Sequence, residues 1–172
     1  MVVAEAHKAN IFLILHFNKY FLLDNMIQRI QTLFVFIAAL ITALMLKTEF
    51  AEIAYGGDYY VFSAQGITSG ENVVFNGLPI MIFIGLIIIL HLAIIFLFKR
   101  RILQIRLLAF TIILLIGLTG LMFYFLYAGF DEVNVVFKIP MVLPLIAVIL
   151  DYLAIRSIGK DEALVRSINR IR

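Results

Sequence analysis

The stretch LPIMIFIGLIIILHLAIIFLF, residues 78–98, is followed by KRRILQIR, residues 99–106, and together they give the strongest structural signal in the sequence. Its first part contains 21 residues without a formal charge, which is long enough to cross roughly 30 Å of hydrocarbon as a helix. Its second part supplies Lys99, Arg100, Arg101 and Arg106, and another apolar run begins at Leu107. A long uncharged helix that ends in cations is typical of a membrane span with a cytoplasmic flank. The sequence therefore predicts an integral membrane protein organised around this basic hinge, residues 99–106.

The composition of the whole chain supports a membrane protein. Hydrophobic residues make up 64% of the 172 residues and charged residues only 15%, whereas globular domains are roughly half apolar and about a quarter charged. The chain contains no Cys, which excludes disulfides, thiolate chemistry and Cys-based zinc sites. The apolar segments leave too few residues for a separate soluble domain.

Four apolar segments predict an all-α transmembrane four-helix bundle. The predicted membrane domain covers residues 26–172, with spans at about 28–46, 78–98, 107–130 and 139–155. The last span contains Pro140 and Pro144, so its first turn is expected to be irregular. Residues 156–172 alternate apolar and basic side chains, which predicts a C-terminal amphipathic helix lying on the cytoplasmic lipid surface.

Residues 47–77 form the one long polar connection, and we expect a small β-hairpin there. Tyr59–Phe62 and Val73–Phe75 are β-branched and aromatic, and the residues between them include Gly66 and Gly70. This composition is typical of two strands joined by a loop. Because an isolated hairpin is only marginally stable in water, it is expected to lean on the helices or to gain a third strand from residues 133–137.

The distribution of basic residues predicts the orientation. If both termini and the hinge face the cytoplasm, only Lys47 and Lys138 of the 14 Lys and Arg residues lie on the other side. Positive charge near span ends favours the cytoplasmic side, so the hairpin loop is expected outside. The basic face is expected to attract anionic lipid headgroups, and nucleic acid is not an expected partner.

Residues 1–25 form an N-terminal extension with two possible explanations. The run Ile11–Leu15 is followed by His16, Asn18 and Lys19, so the apolar stretch is too short to span a membrane. The extension is either an amphipathic helix on the cytoplasmic surface or an upstream region translated before a true start at Met26.

Two titratable residues in the spans are candidate sites. His91 lies deep in its span, and we expect a neutral imidazole bonded to Thr111 or Thr119, with a proton relay as the alternative. Asp151 lies nearer a span end, and we expect it to pair with a cation in a structural contact. The candidate cations are Arg106, Arg101 and Arg156. No catalytic triad, phosphate-binding loop or cluster of metal ligands appears, so no catalytic residue, metal or cofactor is predicted.

Two terminal motifs carry a family resemblance. MIQRIQT, residues 26–32, opens the first span, and KDEALVRS, residues 160–167, with Arg170 and Arg172 closes the chain. In combination with four spans, these motifs resemble the bacterial integral membrane family catalogued as domain of unknown function 4293, over Met26 to Arg172. The resemblance implies the bacterial cytoplasmic membrane and a start at Met26, but it implies no activity, cofactor or catalytic residue.

For function, the sequence favours a non-enzymatic accessory or scaffold subunit of a membrane complex. The spans are largely uniform apolar surface, so the outer loop and the basic tail are the parts that could recognise a membrane-protein partner. The alternative is a small transporter or channel subunit in which His91 lines a polar path. An enzyme with substrate contacts at Asp151 and Arg106 is a third hypothesis.

Overall fold

The computed structural model describes residues 30–70, 72–98, 100–128 and 134–169. These ranges contain four long helices: α1 over residues 30–44, α2 Leu78–Phe96, α3 Arg101–Ala128 and α4 Leu143–Asn169. A 3-10 turn continues α1 at Met45–Lys47, and another leads into α4 at Ile139–Val142. The segments Ile30–Lys47, Leu78–Phe96, Arg101–Tyr127 and Ile139–Ala163 are each long and apolar enough to span a membrane.

Five short strands form one antiparallel sheet. The strands are β1 Glu49–Tyr55, β2 Asp58–Ser63, β3 Gly66–Ser69, β4 Asn72–Asn76 and β5 Asn134–Phe137, in the spatial order β4-β3-β2-β1-β5. The first four strands connect α1 to α2, and the fifth connects α3 to α4. We call this side of the molecule the sheet end and the opposite side, where α2 turns into α3, the hinge end.

The prediction of an all-α four-helix bundle with a small hairpin is wrong, because the protein has a mixed α/β fold. The two predicted hairpin strands correspond to β2 and β4, but β3 lies between them and pairs with both. Sequence reasoning missed β1 because Glu and Ala are depleted in strands, and it missed β3 because Gly66 and Ser69 resemble turn residues. The strand expected over residues 133–137 is present as β5, paired with β1.

One face of the sheet packs against the helices. The register aligns Ala51 with Phe62 and Phe62 with Ile67, and all three side chains are fully buried. They belong to the same hydrophobic cluster as Ile80 of α2 and Met122 of α3. A sheet needs such a cover for independent stability, so the strands and the sheet end of the helices share one core.

Two glycines allow the sheet to meet α2. Gly66 has φ +115°, and a Cβ on it would lie 2.0 Å from the carbonyl oxygen of Phe75. A Cβ on Gly77 would lie 2.2 Å from the amide nitrogen of Gly66, and the Gly77 amide donates to the Gln65 carbonyl at 2.8 Å. Only residues without a side chain permit this approach.

Each helix buries one stripe of side chains at alternating spacings of three and four residues. The fully buried positions of α2 are Ile80, Ile84, Ile87, His91 and Ile94, and α3 and α4 follow the same rule. The remaining faces expose Ile, Leu and Phe side chains. This arrangement suits helices that pack along one face and meet lipid on the others.

The separate amphipathic tail helix predicted after residue 155 is also wrong. The fourth helix continues without a break to Asn169. Its buried stripe continues through Ile158, which is 1% exposed, and Asp161, which is 6% exposed. Because these side chains still face the other helices, packing extends α4 beyond the point at which the apolar run ends.

Candidate functional site: a buried histidine–aspartate pair

A polar layer divides the core of the helices. One hydrophobic cluster includes Ile87 and Ala147 toward the sheet end, and a second includes Ile94 and Ala154 toward the hinge end. Between these positions on the same two stripes lie His91 of α2 and Asp151 of α4, and the side chains of both are 0% exposed. Thr111 of α3 is also fully buried.

The His91 imidazole contacts two acceptors. Its Nε2 atom lies 3.1 Å from Oδ1 and 3.2 Å from Oδ2 of Asp151. Its Nδ1 atom lies 3.0 Å from the carbonyl oxygen of Ile87, one turn earlier in α2. Both ring nitrogens are therefore engaged, and the ring joins α2 to α4.

These contacts determine how many protons the pair carries. A carbonyl oxygen can only accept, so Nδ1 of His91 must bear a hydrogen that it donates to Ile87. The contact between Nε2 and Asp151 needs a second proton, carried either by the imidazole or by the carboxyl group. In both cases the pair as a whole is neutral. Chemically, this arrangement can hold a proton between two helices.

The structure places the predicted partners of His91 elsewhere. The hydroxyl of Thr111 donates to the Leu107 carbonyl and that of Thr119 donates to the Leu115 carbonyl, each at 2.9 Å. A threonine in a helix readily bonds the carbonyl four residues earlier. Neither hydroxyl is therefore the partner that the structure gives to His91.

The predicted cations for Asp151 also lie elsewhere. Arg106 and Arg156 are exposed, and Arg101 is half-buried at the hinge end. Arg156 follows Asp151 by five residues, and this spacing turns the two side chains to different faces of α4. The enzyme hypothesis needs substrate contacts at Asp151, which is fully buried, and at Arg106, which is exposed.

Polar contacts at the hinge end were not predicted. The Gln31 amide of α1 donates to Asp161 of α4, and the Gln104 amide of α3 donates to the Ile94 carbonyl at 2.9 Å. A cavity of about 480 Å³ lies beside them, and its lining includes Arg101. The sequence signal for these contacts is helix spacing. Gln31 precedes Val35 by four residues and Asp161 follows Ile158 by three, which puts each polar residue on the same helix face as an apolar residue that the structure buries.

At the sheet end, Lys138 ties β5 to β1. Its Nζ lies 2.5 Å from Glu49 and 2.6 Å from Glu52, and its amide donates to the Phe50 carbonyl at 2.9 Å. The hydrogen bonds that Lys138 donates to Glu49, the larger effect, and to Glu52 raise its pKa above the usual value of 10.5. No three His, Asp or Glu residues within the described ranges lie close enough together to hold a metal ion.

Comparison with known proteins identifies one family. The family model described as Domain of unknown function (DUF4293) matches residues 27–171. This range includes His91, Asp151 and every strand of the sheet. No curated protein and no solved structure matches the chain.

Proposed function

Because the chain belongs to the DUF4293 family, described only as a domain of unknown function, we propose a role from its structure: a non-enzymatic accessory or scaffold subunit of a membrane complex. In this proposal the four helices anchor the chain in the bilayer, and the sheet binds an extramembrane segment of a partner protein. The observation that carries the proposal is the open edge of the sheet at β4.

Strand β4 has the properties of a binding edge. In the described part of the chain it pairs with β3 alone, and all five of its residues are exposed. Val73 and Val74 are 59% and 46% exposed. An edge strand offers unpaired backbone groups to an added strand, and β-branched side chains favour extended pairing. A partner could therefore bind by adding a strand to β4, which supplies backbone hydrogen bonds and apolar contacts.

The interior of the helices supports a scaffold more than a conduit. A transport path needs polar groups that line a cavity from one side to the other. His91 and Asp151 are instead fully enclosed, with hydrophobic clusters on both sides of their layer. Neither residue contributes to the cavity at the hinge end.

We place the chain in the bacterial cytoplasmic membrane, with the sheet outside and both termini inside. The support is the charge distribution, since the sheet end carries only Lys47 and Lys138 whereas the hinge carries four cations. The hinge cations would lie among anionic lipid headgroups. In the otherwise Cys-free chain, Gln65→Cys, at an exposed turn, should react with an impermeant thiol reagent before the cytoplasmic membrane is lysed. Labelling only after lysis would overturn this orientation.

The scaffold proposal can be tested by photocrosslinking in native membranes. A photoreactive amino acid at Val74 should give a discrete adduct with a partner, and the same group at Ile113, a 65% exposed helix position, should give lipid adducts only. Val73→Lys should abolish the Val74 adduct without lowering the amount of protein. Identical adducts from both positions, or no protein adduct from Val74, would contradict the proposal.

The second candidate function is a small transporter or channel subunit, and the His91–Asp151 pair favours it. Ionisable residues inside a membrane are costly and commonly mark proton or ion paths. If the pair takes part in transport, purified protein in liposomes should carry protons in response to a pH gradient, and Asp151→Asn should abolish the flux. A flux equal to that of protein-free liposomes would exclude proton transport by the isolated chain.

A further inference from the structure

We propose that His91 and Asp151 form a proton-binding site, and that the proton bound between them holds α2 and α4 together. The ligand is a proton taken from water, and the bound state is the neutral pair that the hydrogen-bond distances imply. This inference does not rest on the scaffold proposal, because it concerns the helices and requires no partner.

The hydrogen-bond geometry requires this bound proton. The imidazole faces oxygen atoms at both ring nitrogens, the Ile87 carbonyl at Nδ1 and the Asp151 carboxyl group at Nε2. When one proton leaves to water, the pair changes from neutral to a net charge of −1, and a single hydrogen remains for two contacts. One ring nitrogen then directs its lone pair at an oxygen lone pair. The arrangement seen here is therefore possible only with the proton bound.

Within the described helices, the surroundings of the pair offer no replacement for the lost proton. The stripe of α1 presents Val35, Ala38 and Thr42 near this level, and that of α3 presents Leu108, Thr111 and Leu115, so neither carries a titratable group. The hydroxyls of Thr42 and Thr111 donate to carbonyls of their own helices.

The nearest charged side chains on α3 and α4 either contact another residue or lie on an exposed helix face. Asp161, the next acid along the α4 stripe, contacts Gln31, and Arg106 of α3 and Arg156 of α4 are exposed. A charged carboxylate enclosed by apolar side chains, with no cation beside it, is strongly disfavoured even when the imidazole still donates one hydrogen bond to it. Loss of the proton should therefore open the α2–α4 contact until water reaches Asp151.

Nuclear magnetic resonance can detect the protons directly. The full chain with His7→Gln and His16→Gln retains a single histidine, and it can be labelled with nitrogen-15 and placed in lipid bilayers. At neutral pH, Nδ1 should carry a hydrogen in both the Asp151 protein and the Asp151→Asn variant. The Asn amide can donate to Nε2 without a titratable proton, so this variant should keep the contact at every pH. A bare Nδ1 in the Asp151 protein would overturn the proposal.

A distance measurement tests the effect on the helices. Spin labels at Leu92→Cys and Tyr152→Cys lie on exposed positions next to the pair, and the chain has no other Cys. As the pH is raised, the α2–α4 distance should lengthen in the Asp151 protein when the nitrogen-15 signal reports proton loss, and it should stay constant in Asp151→Asn. If that variant does not fold, the double variant His91→Gln with Asp151→Asn provides a contact between α2 and α4 without a titratable group, and its distance should likewise stay constant with pH.

Two results would count against the site. One is an equal change of distance with pH in the Asp151 protein and in its matched control, the Asp151→Asn variant. The other is a pair that keeps its protons and its distance at every pH at which the fold persists, since such a pair would not be a site that binds and releases a proton.

Discussion

Replacing both members of the His91–Asp151 pair should cost less stability than the sum of the two single replacements. We consider His91→Leu, Asp151→Leu and the double substitution. Each single change leaves a polar group among apolar side chains, because both residues are fully buried and each is the partner of the other. The double change removes both groups and fills the space with hydrocarbon.

The expected magnitudes follow from what is left behind. Breaking a buried ion pair costs about 3–5 kcal/mol when a charge remains. Here the remaining group can become neutral by binding or releasing a proton, so the cost falls to that of an unsatisfied hydrogen-bonding group, about 1–3 kcal/mol. Contacts between helices in membranes have measured coupling energies that average about 0.6 kcal/mol and reach about 1.7 kcal/mol. We therefore expect each single substitution to cost about 1–3 kcal/mol and the two to be coupled by about 0.6–1.7 kcal/mol.

The assay is a double-mutant cycle in mixed micelles. Unfolding is followed by circular dichroism as the fraction of denaturing detergent increases, and the free energy of unfolding is compared among the four proteins. A cycle between Thr119→Val and Asp151→Leu is the control, because Thr119 bonds its own helix and its effect should be additive. If the two leucine substitutions also add within about 0.3–0.5 kcal/mol, His91 and Asp151 do not stabilise the protein as a pair.

Three further predictions concern the sheet. Lys138→Met should remove a pH dependence of the folding stability. The glutamates of β1 raise the pKa of Lys138 in the folded protein. Their stabilisation of the fold is therefore fully present below pH 10.5 and is lost as the pH rises through the higher folded-state pKa. The melting temperature between about pH 9 and 12 should therefore fall more steeply in the wild type, and parallel curves would contradict the ion pair. Gly66→Ala should lower the free energy of unfolding by more than about 1–3 kcal/mol, because a Cβ would lie 2.0 Å from a backbone oxygen. The control Gly85→Ala has open space around its Cβ and should raise the free energy of unfolding by about 0.5–1 kcal/mol. Equal thermal stability of the two variants would contradict the clash at Gly66. Phe62→Ala should cost about 3–5 kcal/mol in detergent-induced unfolding, since Phe62 is fully buried. The control Tyr59→Ala changes a side chain that is 79% exposed, and its effect should stay within about 0.5 kcal/mol. A small loss for Phe62→Ala would mean that the sheet does not share the helical core.

The long apolar runs were predictable because their signal is local. A segment such as residues 78–98 indicates a helix through its length and its lack of charge, and the structure contains α2 at Leu78–Phe96. The two prolines near residue 140 likewise predicted an irregular start, and a 3-10 turn at Ile139–Val142 precedes α4. The two terminal motifs predicted the family, which the match over residues 27–171 confirms.

The sheet was only partly predictable because strand pairing depends on distant residues. Tyr59–Phe62 carries its own β propensity, and it lies within β2. Strand β1 has little β propensity of its own. Its Glu and Ala residues form a strand because β2 and β5 pair on either side of it and because Phe50 and Ile53 enter the core. Local composition therefore underestimated the sheet and led to the wrong fold class.

The order of residues along the chain is enough to show which segments are apolar, where the cations lie and that His91 and Asp151 are unusual in such surroundings. The contact between these two side chains depends instead on how the helices pack. The two residues are 60 positions apart, and the sequence alone suggested that Asp151 pairs with a cation at or near the hinge end. Helix periodicity puts Asp151 on the buried stripe with Ala147 and Ala154, while Arg156 turns to an exposed face. Packing of α4 beside α2 then brings the carboxyl group to the imidazole, because a buried acid needs a polar partner at its own depth.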